Sequence, residues 1–325
     1  MLVKPTDLTN LVCAVDLGGT NLRAAAVDAG GTIHDRARLR TPPEADDVVA
    51  AITSTVNQCQ AAAVKRGKEI QAISIVVPGS VHAETGLIVN APNLPAIVNF
   101  PLGTTLSNRL NRPVLLENDA NAAALGEFWQ GAGRGSQTIL CLTLGTGVGG
   151  GIILDGKLWR GLDGTAGEIG HMSVEPFGSV KCNCGNFGCL EVFASATAIV
   201  RMTREALSDH PGSSLQSIAA DQLTAQAVSQ AANDGDPIAL EVFRRVGTYL
   251  GVAAANLVDI LNPEAIVIGG GVSAAFDLFA PQMRAEIIER AFPVPAKRCR
   301  VLKAKCGDDA GLLGAARLAF DKNKQ

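Results

Sequence analysis

Leu11-Val-Cys-Ala-Val-Asp-Leu-Gly-Gly-Thr-Asn21 sets the architecture of this 325-residue chain. Its first five residues are apolar and predict a short buried strand that ends at Asp16. A second strand is predicted over Leu22–Val27, after the turn that contains Gly18 and Gly19. Backbone N–H groups exposed at a glycine turn of this kind can bind anions, so the turn is a candidate phosphate-binding loop.

The same pattern recurs later in the chain. Thr138–Leu144 predicts a strand, the run Gly145-Thr-Gly-Val-Gly-Gly-Gly151 breaks it, and Ile152–Leu154 predicts the next strand. A third cluster, Gly269-Gly270-Gly271, follows a predicted strand at Ile266–Ile268. Because strand, glycine turn and strand occur twice in this order, the sequence predicts an α/β fold made of two related lobes.

We expect a smaller α/β lobe over residues 1–120 and a larger one over residues 121–307. The joint between them is predicted near residues 118–133, where Gly131-Ala-Gly-Arg-Gly135 favours flexibility. A closing helix within residues 308–325 is expected to pack back on the smaller lobe. Helical spacing of apolar residues also predicts helices near Ala194–Leu207 and Ala275–Ala291.

The composition excludes several classes of protein. Hydrophobic residues make up 47% of the chain and charged residues only 18%, which indicates a globular protein and not a disordered one. The net charge of −3 and the small aromatic content, ten Phe, two Trp and one Tyr, argue against nucleic-acid binding. The segment Met1–Asn10 is polar and no run of about 20 apolar residues follows it. We therefore expect a cytoplasmic protein with no membrane segment.

Polar side chains beside the glycine clusters strengthen the phosphate-binding interpretation. Thr20, Asn21 and Thr146 can donate hydrogen bonds to phosphate oxygens, whereas the alternative is that each cluster only forms a tight turn. Asp16 lies where a carboxylate could hold Mg²⁺ through water, or could cap the turn instead. Gly145-x-Gly147-x-x-Gly150 formally fits a dinucleotide fingerprint, but a strand follows it where that fingerprint requires a helix, which argues against a dehydrogenase.

Three of the eight cysteines lie close together in the sequence. Cys182, Cys184 and Cys189 follow His171 in a glycine-rich loop, and together they supply the ligands of a tetrahedral Zn²⁺ site. Four protein ligands close the coordination shell, so the metal would be structural. The alternative is three free thiols in a loop, and the other five cysteines are expected in the core.

These motifs resemble a known family. Asp16-Leu-Gly-Gly-Thr-Asn21 resembles the first phosphate motif of the sugar-kinase and actin superfamily. Glu168-Ile-Gly-His171, followed by Cys182-Asn-Cys-Gly-Asn-Phe-Gly-Cys-Leu-Glu191, closely resembles the ROK family of bacterial sugar kinases and repressors. The match extends over almost the whole chain and includes Glu117-Asn-Asp-Ala-Asn121. It implies a two-lobed actin-like, ribonuclease H-like ATPase fold, and the stretch after Cys189 looks most like the glucokinases of that family.

The resemblance also implies roles for individual residues. Asp119 matches the catalytic base. Sugar-binding positions of the family match Gly79, Asn93, Asn118, Asp119, Glu168, His171 and Glu191. The nucleotide and Mg²⁺ region matches Asp16, Gly18, Gly19, Thr20, Asn21, Thr146 and Gly147, with Gly269 and Gly270 on the adenosine side. The zinc ligands match His171, Cys182, Cys184 and Cys189.

Chemistry supports the role of Asp119 independently. A sugar hydroxyl is a poor nucleophile, so a carboxylate must accept its proton as the new P–O bond forms. Asp119 follows a predicted strand and precedes a predicted helix, between the two lobes. The alternative is that its side chain only caps that helix. Similarly, Glu168 could lie in an ordinary surface turn. His171 could be a loop histidine that is hydrogen-bonded within the protein and binds no ligand.

The expected function is ATP-dependent phosphorylation of a hexose at its C6 hydroxyl, with glucose as the first candidate. The segment after Asn93 lacks an aromatic residue of the family pattern, which leaves N-acetylhexosamine, mannose or fructose open. A sugar-sensing protein without catalysis is the other alternative. Repressors of the family carry a helix-turn-helix domain before the first phosphate motif, and 15 residues precede Asp16 here. The family resemblance also suggests a homodimer.

The sequence leads to one expectation about the metal. His171 lies three residues after Glu168 and Cys189 two residues before Glu191, so the ion would connect two sugar-binding segments. The glycine loops are distant from these ligands in the sequence. We therefore expect loss of the metal to weaken sugar binding much more than nucleotide binding.

Overall fold

The computed structural model describes residues 10–82, 84–208 and 212–322, which form two five-stranded sheets with helices between and around them. Residues 1–9 of the polar N-terminal segment and residues 323–325 of the predicted closing segment lie outside the described residues. Within the three described ranges, no helix is long and apolar enough to cross a membrane.

The first sheet is built from the N-terminal part of the chain. The strands of this part are β1 (Asn10–Leu17), β2 (Asn21–Asp28), β3 (Ile33–Arg40), β4 (Glu69–Val77), β5 (Ser80–His82), β6 (Leu87–Asn90) and β7 (Val114–Asn118). The sheet has the order β3-β2-β1-β4-β7, and β5 and β6 form a separate hairpin. Because β1, β4 and β7 are parallel, their carboxyl ends meet at one edge of the sheet.

The second sheet repeats this arrangement. Its strands are β8 (Ile139–Leu144), β9 (Val148–Leu154), β10 (Lys157–Leu158), β11 (Ala265–Gly269) and β12 (Arg300–Lys303). They have the order β10-β9-β8-β11-β12, with β8, β11 and β12 parallel. The predicted recurrence of strand, turn and strand is therefore confirmed as a repeat of sheet topology.

One glycine cluster has a different structure from the one predicted. Strand β9 begins at Val148, so Gly149–Gly151 lie within the strand and only Gly145–Gly147 form the turn. A Cβ atom on Gly149 would lie 2.9 Å from the Cβ of Ala120, and one on Gly151 would lie 2.6 Å from the Cβ of Ala124. These glycines therefore allow a helix to approach the strand closely, a packing role that a turn-based interpretation overlooks.

Ten helices lie in the described residues: α1 (Ala45–Lys65), α2 (Leu102–Leu110), α3 (Asp119–Gln130), α4 (Glu191–Ala194), α5 (Ala196–Leu207), α6 (Ala225–Asn233), α7 (Pro237–Leu261), α8 (Phe276–Arg290), α9 (Pro293–Arg298) and α10 (Ala310–Lys322). The predicted helix over Ala194–Leu207 is interrupted at Ser195, whose backbone is extended and whose hydroxyl accepts the Ala198 N–H at 3.1 Å. The predicted helix over Ala275–Ala291 starts as a 3-10 turn at Gly271–Ala275.

The helices cover both sheets and meet between them. Along β1, Leu11, Cys13 and Val15 pack in the cluster that includes α1, whereas Val12 and Ala14 pack against α10. This alternation is the two-residue period of a strand buried on both faces. Helix α3 contacts α10 as well as β8 and β9, and α7 and α8 bury the other face of the second sheet. The division into lobes at residue 120 stays a prediction.

Candidate active site

A cavity of about 150 Å³ lies between the two sheets, at the carboxyl end of β7. One wall is formed by Gly79, Ser80, Asn118, Asp119, Ala120 and Asn121, and the other by Gly149, Gly150, Gly164, Ala166, Gly167 and Glu168. Ligands of α/β proteins commonly bind beyond the carboxyl ends of parallel strands. Both sheets therefore contribute residues to one polar cavity.

Asp119 occupies the first turn of α3, but the cap of this helix is Asn118. The Asn118 Oδ1 accepts the N–H groups of Ala120 at 2.9 Å and Asn121 at 3.0 Å. Its Nδ2 donates to the Gly79 carbonyl at 2.8 Å and to Asp119 Oδ1 at 3.1 Å. Asp119 also accepts the Ala120 N–H through Oδ1, and no described hydrogen bond uses Oδ2. Since Asn118 caps the helix, Asp119 Oδ2 is available to accept a proton.

The Asp119 carboxylate lies in unfavourable surroundings for a negative charge. The side chain is exposed to the cavity, and the atoms of the cavity lining around it limit its hydration. This desolvation, together with the smaller effect of the negative charges of Asp16 and Glu168, raises the pKa of Asp119 to about 6. A pKa near the working pH suits a general base, because the group is ionised and still has a high proton affinity.

The residues that match sugar-binding positions lie on and around this cavity. Gly79, Asn118, Asp119 and Glu168 line it. Asn93 lies outside the lining and packs against Gly19 of the first glycine turn. His171 is close to Glu168, with 3.9 Å between Nε2 and the carboxylate, and Glu191 contacts the second glycine turn. The structure thus brings four of the seven residues into the cavity lining and places the other three outside it.

A second cavity, of about 480 Å³, lies beside the second glycine turn. Its lining is mainly apolar and consists of Gly145, Thr146, Ala196, Ile199, Ala225, Gln226, Ser229, Phe243, Gly271, Val272, Ala274 and Ala275. Gly269 pairs with Thr143 in the parallel register of β11 and β8, which puts the third glycine cluster next to the turn at Gly145–Gly147. An apolar cavity bordered by two such loops has the character of a nucleoside site.

The first glycine turn is held by hydrogen bonds within the first sheet. The Gly18 N–H donates to the Asn21 carbonyl at 2.9 Å, and the Thr41 hydroxyl donates to the Gly18 carbonyl at 2.6 Å. Asn21 Oδ1 accepts hydrogen bonds from Arg38. No described hydrogen bond uses Asn21 Nδ2, which can still donate to a phosphate oxygen. Asp16 pairs with Arg23 through Oδ2, and no described hydrogen bond uses Asp16 Oδ1. Asp16 lines neither cavity.

The four predicted metal ligands converge in space. One ligand atom each from His171, Cys182, Cys184 and Cys189 lies within 4.8 Å of the others. The Cys182 Sγ is 3.6 Å from His171 Nδ1, and the Sγ atoms of Cys184 and Cys189 are 3.7 Å apart. A regular tetrahedron with Zn–S bonds of about 2.3 Å has edges of about 3.8 Å. The donor set and its spacing therefore fit a tetrahedral Zn²⁺ ion.

Sequence reasoning assigned no role to two charged residues next to the cavity lining. Glu117, at the end of β7, is buried and accepts hydrogen bonds from Arg160 Nε at 2.7 Å and Asn121 Nδ2 at 3.0 Å. Arg160 follows β10 and begins the loop that carries Glu168. A charged residue near the end of an apolar strand is a sequence pattern that could have drawn attention to Glu117. Nothing in the sequence identifies Arg160 as its partner.

Comparisons with known proteins agree with this geometry. The model of the ROK family matches residues 12–322. A glucokinase of Halalkalibacterium halodurans is 41% identical over 92% of this chain and 92% of its own length. A xylose repressor of Caldicellulosiruptor bescii is 32% identical over 93% of this chain and 76% of its own length.

A solved structure extends the comparison to the fold. A ROK family glucokinase from Streptomyces griseus, in complex with glucose and AMPPNP, is 37% identical with a TM-score of 0.78, covering 96% of this chain and 99% of its own. The expected actin-like ATPase fold of sugar kinases is confirmed. Since the family model extends over nearly the whole chain and the relatives match over most of their length, the chain belongs to the ROK family.

Proposed function

We propose that this protein transfers the terminal phosphoryl group of ATP to the C6 hydroxyl of glucose. The observation that carries this proposal is the position of Asp119, a carboxylate with a pKa of about 6 in a polar cavity to which both sheets contribute. The similarity to glucokinases over nearly the full length supports glucose as substrate and ATP as donor.

In the proposed reaction, Asp119 Oδ2 accepts the proton of the sugar hydroxyl. The hydroxyl oxygen forms a bond to the γ-phosphorus while the bond from that phosphorus to the β,γ-bridging oxygen breaks, and ADP leaves. Asn118 positions Asp119 through the bond from Nδ2 to Oδ1. Glu168 lines the cavity and is suited to accept a hydrogen bond from a sugar hydroxyl. The Asn118 amide is already hydrogen-bonded within the protein, so its part in the proposed reaction is to position Asp119.

The proposed nucleotide site combines the loops of both sheets. The apolar second cavity takes the nucleoside, with Gly269 and Gly270 beside it. Backbone N–H groups at Gly19, Thr20, Thr146 and Gly147 are the proposed phosphate donors. The Gly18 N–H is used within the turn, where it donates to the Asn21 carbonyl. Asp16 would hold Mg²⁺ through Oδ1, which has no described hydrogen bond, and the ion would neutralise phosphate charge.

We propose that Zn²⁺ has a structural role at the cysteine cluster. The ligands are His171, Cys182, Cys184 and Cys189. With Nδ1 of His171 facing Cys182, the metal would fix the tautomer that carries a proton on Nε2. This Nε2–H group faces Glu168, on the side of the sugar cavity. One histidine can therefore serve both roles that the resemblance implies.

The test is a coupled ADP-release assay over a panel of hexoses, with the Asp119→Asn variant as control. We expect MgATP-dependent ADP formation with glucose, loss of it in the variant, and weaker activity with N-acetylhexosamine, mannose and fructose. A preference for one of these sugars would change the assigned substrate. Sugar binding without turnover of any hexose would favour the sugar-sensing alternative. A homodimer and a cytoplasmic location stay predictions of the sequence.

A further inference from the structure

One segment connects the cysteine cluster to the second glycine turn. We call residues 189–197 the bracing segment, since it contacts residues 145–148 at three points. Glu191 Oε2 accepts the Val148 N–H at 3.0 Å. The Ala196 N–H donates to the Gly145 carbonyl at 2.8 Å, and the Thr197 hydroxyl donates to the Thr146 carbonyl at 3.0 Å. Every residue from 145 to 148 except Gly147 is thus hydrogen-bonded to this segment.

Gly147 contacts the bracing segment in another way. A Cβ atom at this position would overlap the Glu191 carboxylate, so the glycine allows Oε2 to reach the Val148 N–H. A charged acceptor bonded to a backbone N–H makes one of the stronger hydrogen bonds in proteins. The turn between β8 and β9 therefore depends on Glu191 for its conformation.

The bracing segment also forms part of the second cavity. Ala196 lines this cavity together with Gly145 and Thr146. Cys189, a proposed metal ligand, lies two residues before Glu191 and seven before Ala196. The short helix α4 and the Ser195 cap connect these points. The cysteine cluster and the second cavity are thus joined by a short segment of ordered backbone, from Cys189 to Ala196.

We propose that Glu191 is a positioning residue for the nucleotide phosphate loop, in addition to the sugar-binding role that the resemblance implies. The inference rests on the proposed nucleotide site. Oε2 holds residues 145–148 through the Val148 N–H, and Oε1 lies 3.7 Å from the Sγ of Cys182, a proposed metal ligand. The same carboxylate therefore contacts both the cysteine cluster and the glycine turn that borders the second cavity. Holding the loop before ATP binds reduces the ordering that binding must otherwise achieve.

The experiment measures binding of a non-hydrolysable ATP analogue in the absence of sugar. Glu191→Ala removes the acceptor, and we expect the dissociation constant to rise about tenfold, the effect of losing a charge-assisted hydrogen bond. Glu191→Gln keeps a carbonyl acceptor without the charge and should restore most of the affinity. Glu168→Ala is the matched control, because Glu168 lines the sugar cavity and has no described contact with residues 145–148.

Thr197→Val tests the same segment at a residue that contacts neither the sugar cavity nor the cysteines. It should raise the dissociation constant about threefold, since a neutral hydrogen bond contributes less. If Glu191→Ala fails to fold, Thr197→Val alone still tests whether the bracing segment supports nucleotide binding.

Unchanged analogue affinity in folded Glu191→Ala and Thr197→Val, with binding by the unaltered chain, would overturn the positioning role. Equal weakening by Glu168→Ala would also overturn it. Failure of the unaltered chain to bind the analogue would overturn the proposed nucleotide site itself.

Discussion

Arg160 Nε donates a hydrogen bond of 2.7 Å to the carboxylate of Glu117, whose side chain is only 4% exposed. The pair connects the end of β7, which leads into Asp119, to the loop that leads to Glu168. The second Glu117 oxygen accepts from Asn121 Nδ2 and the Asn118 N–H. The two walls of the cavity are therefore held in register by an ion pair whose carboxylate lies two residues before Asp119.

Replacing Arg160 should damage both stability and activity. Arg160→Ala leaves a buried Glu117 charge without its partner, and we expect it to lower the free energy of unfolding by about 1–3 kcal/mol. It should also lower kcat, because the Asp119 and Glu168 walls lose their alignment. Arg160→Lys should recover part of both. Chemical denaturation and steady-state kinetics measure the two effects. The exposed pair of Arg66 and Asp35 gives the control, since Arg66→Ala should leave kcat unchanged.

Asp119→Asn should lower kcat by at least about 10²-fold while leaving glucose binding largely intact. The amide keeps the shape and the Oδ1 contacts but cannot accept the proton. Single-turnover kinetics and calorimetric titration with glucose separate the two quantities. Turnover close to that of the unaltered protein would remove Asp119 from the role of base.

The pH dependence of the reaction should report the Asp119 carboxylate. The base must be ionised, and burial raises its pKa to about 6. We therefore expect kcat/KM for glucose to fall as the pH drops through about 6 and to level off above it. A profile measured at saturating MgATP tests this. Constant kcat/KM from pH 7.5 down to pH 5 would contradict the assignment.

Asp119→Asn should stabilise the folded protein at neutral pH. The pKa of Asp119 is about 6 in the folded protein, against about 3.9 for an unperturbed aspartate. The folded state therefore binds the proton more tightly, and stability is lost as the pH rises through this interval. The amide has no charge to desolvate or to be repelled by Asp16 and Glu168. The difference in Tm between variant and unaltered protein should grow from pH 4 to pH 7. A difference in Tm that does not change with pH would argue against a raised pKa of Asp119 in the folded protein.

Removal of the metal should weaken the binding of both glucose and the ATP analogue. Cys184 is exposed, so Cys184→Ser removes one ligand without opening a cavity in the core. We expect the loss of about one zinc per chain. The sequence led to the expectation that sugar binding weakens much more than nucleotide binding. The contact between Glu191 and Val148 predicts instead that binding of the ATP analogue weakens substantially as well.

Elemental analysis and separate titrations of glucose and the analogue test this prediction. A circular-dichroism melt excludes general unfolding as the cause. Zinc loss with unchanged affinity for both ligands would show that the metal supports neither site.

Local patterns account for the correct part of the sequence analysis. Strands β1 and β8 were predicted from short apolar runs, and their glycine turns from adjacent residues. The four proposed metal ligands lie within 19 consecutive residues, so their convergence depends mainly on one loop. The errors at Gly149–Gly151 and Ser195 have a different origin: packing of α3 against β9 decided the first, and a side-chain cap decided the second.

The sequence by itself determined the type of fold, the loops at the ends of its strands and the residues available for catalysis and metal binding, because these follow from apolar period, turn chemistry and donor type over short stretches. Only the tertiary structure decided which of them act together. Glu117 and Arg160 are 43 residues apart, as are Val148 and Glu191. The raised pKa of Asp119 depends first on its desolvation and then on Asp16 and Glu168, which come from distant segments. Such contacts form only when the two sheets pack around α3 and α10, since the free energy of each pair depends on burial that no local segment provides.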